Sequence, residues 1–94
     1  MIGAEKEGEK IAVEIKTFLN ISFASEFHVA LGQYLNYLVE LEKEEPNRTL
    51  FLAVPKETFE LYFYTQHIRL VIERFNLKVI AFDIESKTIT KWIR

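Results

Sequence analysis

No cysteine occurs among the 94 residues. That absence excludes a disulfide framework, a thiolate metal site and a cysteine nucleophile together, and makes a reducing cytoplasm the simplest home. Only three glycines and two prolines are present, and none of them builds a Gly-rich phosphate loop or a Gly-x-Ser-x-Gly nucleophile turn. The two histidines, His28 and His67, do not form a close pair suited to zinc. No apolar run approaches the roughly 20 residues of a membrane span, and Met1-Ile2-Gly3-Ala4-Glu5-Lys6 has no signal-peptide hydrophobic region. Positive charge is not in excess either. Twelve Lys and Arg stand against 14 Asp and Glu, a formal charge of -2, so there is no global basic field to drive non-specific nucleic-acid binding. Any DNA contact has to be local.

What the chain does have is apolar residues in quantity. At 49% hydrophobic and 28% charged, it reads as one soluble globular domain over 1–94, with a single thin core. No repeat, low-complexity segment or interdomain linker interrupts it.

The pattern is mixed α and β. Met1 to Lys6 reads as a strand, and Glu7-Gly8-Glu9 as a tight turn in which Gly8 supplies the positive φ. That strand opens abruptly at Met1, as if a preceding element were absent. Lys10 to Phe18 is the returning strand. After a link over Leu19–Ala24, with Ser22 or Ser25 as N-cap, the stripe Phe27, Leu31, Tyr34, Leu38 and Leu41 predicts a long helix. Ala30, Leu35 and Tyr37 widen its apolar face. Glu40, Glu42, Lys43, Glu44 and Glu45 end it before Pro46. Arg48 to Val54, closed by Pro55, is apolar enough for a strand covered on both faces, and should be central and parallel to its predecessor through a right-handed crossover. Helical spacing of Leu61, Tyr64, Ile68, Val71, Ile72 and Phe75 predicts one helix over 56–75. Phe59, Tyr62, Phe63 and Leu70 fall partly outside that stripe, a surplus of aromatic surface that suits either a wide core or contact with another chain. Leu77–Asp83 and Thr88–Ile93 form a closing hairpin. Its last strand is an edge, with Thr88, Thr90 and Trp92 on one face and Ile89, Lys91 and Ile93 on the other. Trp92 reads as a cover on the core, with a base-stacking platform as the alternative.

One stretch organises the rest. In Ile11-Ala12-Val13-Glu14-Ile15-Lys16 the side chains alternate, so Glu14 and Lys16 share a face opposite Ile11, Val13 and Ile15. A carboxylate beside an ammonium at a strand end suits metal-dependent phosphodiester chemistry, where one holds a divalent cation and the other steadies charge. It equally suits a solvated pair on an ordinary amphipathic strand. Glu26 and Gln33, seven residues apart, stack along one edge of the long helix's apolar stripe, within reach of the sheet. His28 lies on the exposed side, and His67 and Arg69 fall outside the second stripe.

Three runs together carry a resemblance: Ile11 to Phe18; Ser25-Glu26-Phe27-His28 with Ala30-Leu31-Gly32-Gln33-Tyr34-Leu35-Asn36-Tyr37; and Leu50 to Pro55. With the closing Asp83 to Arg94, they resemble the XisH family, controlling factors associated with excision of the cyanobacterial fdxN element. The resemblance implies a restriction-endonuclease-like core of the PD-(D/E)xK type, in the order β-hairpin–α–β–α–β-hairpin. It places Glu14 at the metal-ligand carboxylate, Lys16 at the catalytic lysine and Gln33 at the helix glutamine, with Glu26 a weaker addition. The cation would be Mg²⁺ or Mn²⁺, held weakly.

The chain departs from the family pattern in lacking an N-terminal helix and the strand bearing the motif aspartate. Glu5, beside the turn, does not replace that aspartate. Two functions of different classes follow. One is a non-catalytic regulatory component of DNA-element excision that binds an XisI-like partner protein. The other is a metal-dependent DNA endonuclease using Glu14 and Lys16, with a carboxylate supplied from outside this chain. Self-association into a homo-oligomer is expected on either reading.

Overall fold

In the computed structural model, which describes residues 1–19 and 22–94, five strands and three helices follow one another as β1 (Ile2–Lys6), β2 (Glu9–Ile15), α1 (Phe23–Glu44), β3 (Thr49–Pro55), α2 (Lys56–Tyr62), α3 (Gln66–Phe75), β4 (Val79–Asp83) and β5 (Thr88–Ile93). Part of the link expected over Leu19–Ala24, namely Asn20 and Ile21, lies outside the described residues. The strands form one mixed sheet in sequence order, with antiparallel hairpins at both edges and β2, β3 and β4 parallel in the middle.

Local chemistry accounts for each boundary. Glu7 and Gly8 both hold positive φ (52° and 82°), so a two-residue turn of the kind that matches strand twist joins β1 to β2, with Lys6 opposite Glu9. Ser22 caps α1 by accepting from the Ser25 amide at 3.3 Å, and the helix stops at Glu44, ahead of Pro46. β3 is central and buried along its length except at Thr49, as its unbroken apolar run requires.

The single helix expected over 56–75 is in fact two. The Tyr62 carbonyl accepts from both the Thr65 amide (3.3 Å) and the Thr65 hydroxyl (2.7 Å), a local bond that competes with helix continuation. The break resets the phase. Phe59 and Phe63, outside the expected stripe, are buried, while Leu61, Tyr64 and Phe75, expected inside it, are exposed. On α1 the stripe holds for Phe27, Ala30, Tyr34 and Leu41, but Leu35 is exposed. A bulge between Ala81 and Phe82 also corrects the last strand. Phe82 pairs with Ile89 and Ile80 with Trp92, so Ile89 joins Trp92's face instead of opposing it.

Two cores result. The larger packs Ala12, Leu50, Leu52, Val54, Val79 and Ala81 of the sheet against Phe27, Ala30, Tyr34, Phe59, Phe63, Ile68 and other helical residues. The smaller, on the opposite face, holds Ile11, Phe51, Ala53 and Ile80, with Val13, Phe82 and Trp92 packed beside them. All of its members come from strands.

Tyr34 ties α1 to the sheet. Its hydroxyl donates to the Leu50 carbonyl (3.2 Å) and accepts from the Lys78 amide (3.3 Å). Arg48 similarly locks the first hairpin, donating from Nη1 to the Ala4 and Ile11 carbonyls at 3.1 and 2.8 Å. Gly3 makes room for it, since a Cβ there would lie 3.2 Å from that nitrogen.

Candidate functional site

The carboxyl end of β2 brings the sequence-predicted residues onto the helix side of the sheet. Glu14 is paired with Leu52, and Ala12 with Leu50. Both leucines belong to the larger core, so the Glu14 carboxylate projects toward the helices and is only 13% exposed. Its ion-pair partner is the Met1 α-ammonium, 3.9 Å away. Lys16 lies just past the strand and continues its ladder by donating its amide to the Ala53 carbonyl at 2.9 Å. By alternation its side chain shares Glu14's face.

Lys16 lines a cavity of about 230 Å³ with Phe18, Ser25, Glu26 and Val29. The helix start and the strand end thus face one space, and Glu26 enters it from the first turn of α1, where a carboxylate suits the helix dipole. Gln33, two turns along, does not line this cavity. Its Oε1 is buried and has no hydrogen-bond partner among the described residues. Lys16 and Glu26 are therefore brought together at one end of the sheet, while Glu14, two residues before Lys16 on the same face, and Gln33, further along α1, both lie outside that cavity. His28 and His67 are exposed, as the sequence suggests.

Phe18 is a feature that sequence reasoning missed. Its φ is 56°, the left-handed region that a bulky residue rarely enters. Rings hold it there. Phe18 stacks on Phe23 at 5.2 Å and meets Phe63 edge-on at 6.5 Å, while Phe23 also stacks on Tyr62 at 4.0 Å. No residue type in the sequence signals this conformation, because phenylalanine is the wrong residue for it.

The Mg²⁺ or Mn²⁺ that the family resemblance implies fits this donor set poorly. At the end of β2 the acidic donors are Glu14, which is ion-paired, and Glu26, across the Lys16 cavity. Among the described residues no three His, Cys, Asp or Glu side chains converge on a metal-sized site. A second charged pair stands elsewhere along the carboxyl edge of the sheet, where Lys56 Nζ donates to Asp83 at 3.2 Å. That hydrogen bond raises the Lys56 pKa and lowers that of Asp83.

The XisH protein family model matches residues 1–90. The chain belongs to the XisH family. Two solved structures are similar to it throughout: an XisH family protein from Nostoc punctiforme PCC 73102, at 44% identity and a TM-score of 0.92, and an fdxN element excision controlling factor protein from Anabaena variabilis, at 45% and 0.91. Each alignment covers 98% of this chain, and 73% and 72% of the respective relative. Comparison with the curated proteins finds no match. This XisH chain has the mixed five-stranded sheet and three helices of those relatives. Among its described residues no helix is long and apolar enough to cross a membrane.

Proposed function

We propose that this XisH chain is a non-catalytic component of DNA-element excision, a controlling factor that works by binding a partner protein through the Lys16 end of its sheet. The observation that carries this is the make-up of that end. One cavity combines a cation and a carboxylate (Lys16, Glu26) with apolar Phe18 and Val29, and Leu19, which follows Phe18, is 87% exposed. Charged groups set among exposed apolar side chains are the chemistry of a protein interface. The name of the Anabaena variabilis relative supports the excision role, and the family resemblance points to an XisI-type protein as the partner.

A second reading is supported by the shared face of Glu14 and Lys16. It is a metal-dependent endonuclease whose missing carboxylate comes from outside this chain. Supercoiled plasmid incubated with the 94-residue chain, its XisI-type partner protein and Mg²⁺ or Mn²⁺ separates the two. Plasmid that stays supercoiled in that mixture supports the binding component. Nicking that disappears in both Glu14→Ala and Lys16→Ala overturns it in favour of the nuclease.

A further inference from the structure

The face of the sheet opposite the helices is apolar where a solvated face would be polar. Ile11, Val13 and Ile15 on β2, Ala53 on β3 and Ile80 and Phe82 on β4 all point that way, and they line a shallow hollow of about 500 Å³ with Ile89 of β5. Trp92 and Arg94 close one part of this face over Phe51, with the Trp92 ring edge-on to Phe51 at 5.1 Å and the Arg94 guanidinium 4.7 Å from the Trp92 centroid. Arg94 is held there by Glu9 at 3.0 Å. No helix packs on the rest: among the described residues every helical side chain of the core belongs to the other face. Ile11, Ala53 and Ile80 are shielded by neighbouring strand side chains, but Ile15 and Ile89 remain 45% and 37% exposed. Parallel strands are normally covered on both faces, and sheets that face water on one side alternate apolar with polar. β3 and β4 do not alternate.

We propose that a second copy of this chain covers that face, two sheets packing face to face about a twofold axis. Three observations favour this occupant. An apolar sheet face is self-complementary, and such sheets pack about 10 Å apart with interdigitated side chains. Five strands at about 4.8 Å spacing and about 20 Å long give a surface roughly 24 by 20 Å, so two copies remove on the order of 1,000 Å², the lower bound for a specific interface. The charge of -2 on each chain is too small to hold two copies apart, and the hollow's rim carries both signs in Glu5 and Lys6. Glu14 and Lys16 lie on the opposite face, clear of this interface, so it does not depend on the partner-binding reading. The competing occupant is a further segment of polypeptide of the kind that the longer relatives contain.

Sedimentation velocity on the full chain at tens of micromolar tests the proposal. The expected result is a species of twice the chain's mass that falls to a monomer in Ile15→Glu and in Ile89→Glu, each with unchanged far-ultraviolet circular dichroism. Should one of the two fail to fold, the other carries the test. Leu61→Glu, on the helical side and 70% exposed, should leave the dimer intact. Trp92, the single tryptophan, should become more accessible to acrylamide quenching in the monomeric variants. A monomeric wild type overturns the proposal. So does a dimer that survives both isoleucine changes, or one that dissociates only in Leu61→Glu.

Discussion

The Phe18 ring stacks on the Phe23 ring at 5.2 Å while the Phe18 backbone sits at a φ of 56°. The segment leaving β2, two residues past Lys16, is thus held in a costly conformation by an aromatic cluster that spans α1 and α2. A non-glycine residue there costs about 1–2 kcal/mol, and ring packing offsets it.

That balance predicts an inversion of the usual alanine and glycine order. Both Phe18→Ala and Phe18→Gly lose the ring contacts, but only glycine relieves the backbone. Phe18→Gly should therefore be the more stable of the two by about 1 kcal/mol in urea unfolding, although glycine is ordinarily the more destabilising residue. Equal stabilities, or a more stable alanine variant, would show that the conformation stores no strain.

Tyr34→Phe isolates a polar tie within the larger core. The change keeps the ring and removes the hydroxyl that links the Leu50 carbonyl to the Lys78 amide. Leaving these backbone groups without their side-chain partner should cost about 1–3 kcal/mol. Burial raises the Tyr34 pKa, against the opposing pull of the Lys78 amide, so the phenol should titrate above a free tyrosine. Ultraviolet absorbance at alkaline pH would reveal a normal titration if the hydroxyl were solvated instead.

Much of this architecture is legible in the sequence because the signals are local. Gly8 marks the first turn, Pro46 and a serine at 22 or 25 bracket α1, with Ser22 the actual cap, and the run Leu50 to Val54 identifies a buried central strand. The α2–α3 break is not legible, because helical periodicity counts phase along an unbroken helix and the Thr65 hydroxyl that ends α2 looks like any other threonine. The bulge that moves Ile89 onto Trp92's face escapes for the same reason, since alternation assumes a regular ladder. At the candidate site, strand alternation is enough to put Glu14 and Lys16 on one face. The convergence of Lys16 with Glu26 depends on how α1 docks, and of the residues expected beside Lys16 neither Glu14 nor Gln33 lines that cavity, Gln33 because two helical turns carry it along the sheet.

The Lys56–Asp83 pair should act as a pH-dependent clasp between the start of α2 and the end of β4. Asp83 has a depressed folded pKa, so its contribution is present above the ordinary carboxylate range and is lost as pH falls through the folded value. Lys56 has a raised one, so its contribution is lost only as pH rises through that higher value. The clasp therefore holds between about pH 4 and pH 10. Because both side chains are partly exposed, the effect is modest. Thermal unfolding of Asp83→Asn should give a lower Tm than the wild type at neutral pH, with the difference shrinking below about pH 4. A difference that stays constant down to pH 2 would place the stabilisation elsewhere.

Partner binding at the Lys16 end is the central claim, and isothermal titration calorimetry of a purified XisI-type protein into this chain tests it most directly. Saturable binding to the wild type is expected, weakened at least about tenfold, or about 1.4 kcal/mol, by Lys16→Glu in a variant that unfolds at the wild-type temperature. Absence of binding to the wild type, or equal affinity for Lys16→Glu, would contradict it.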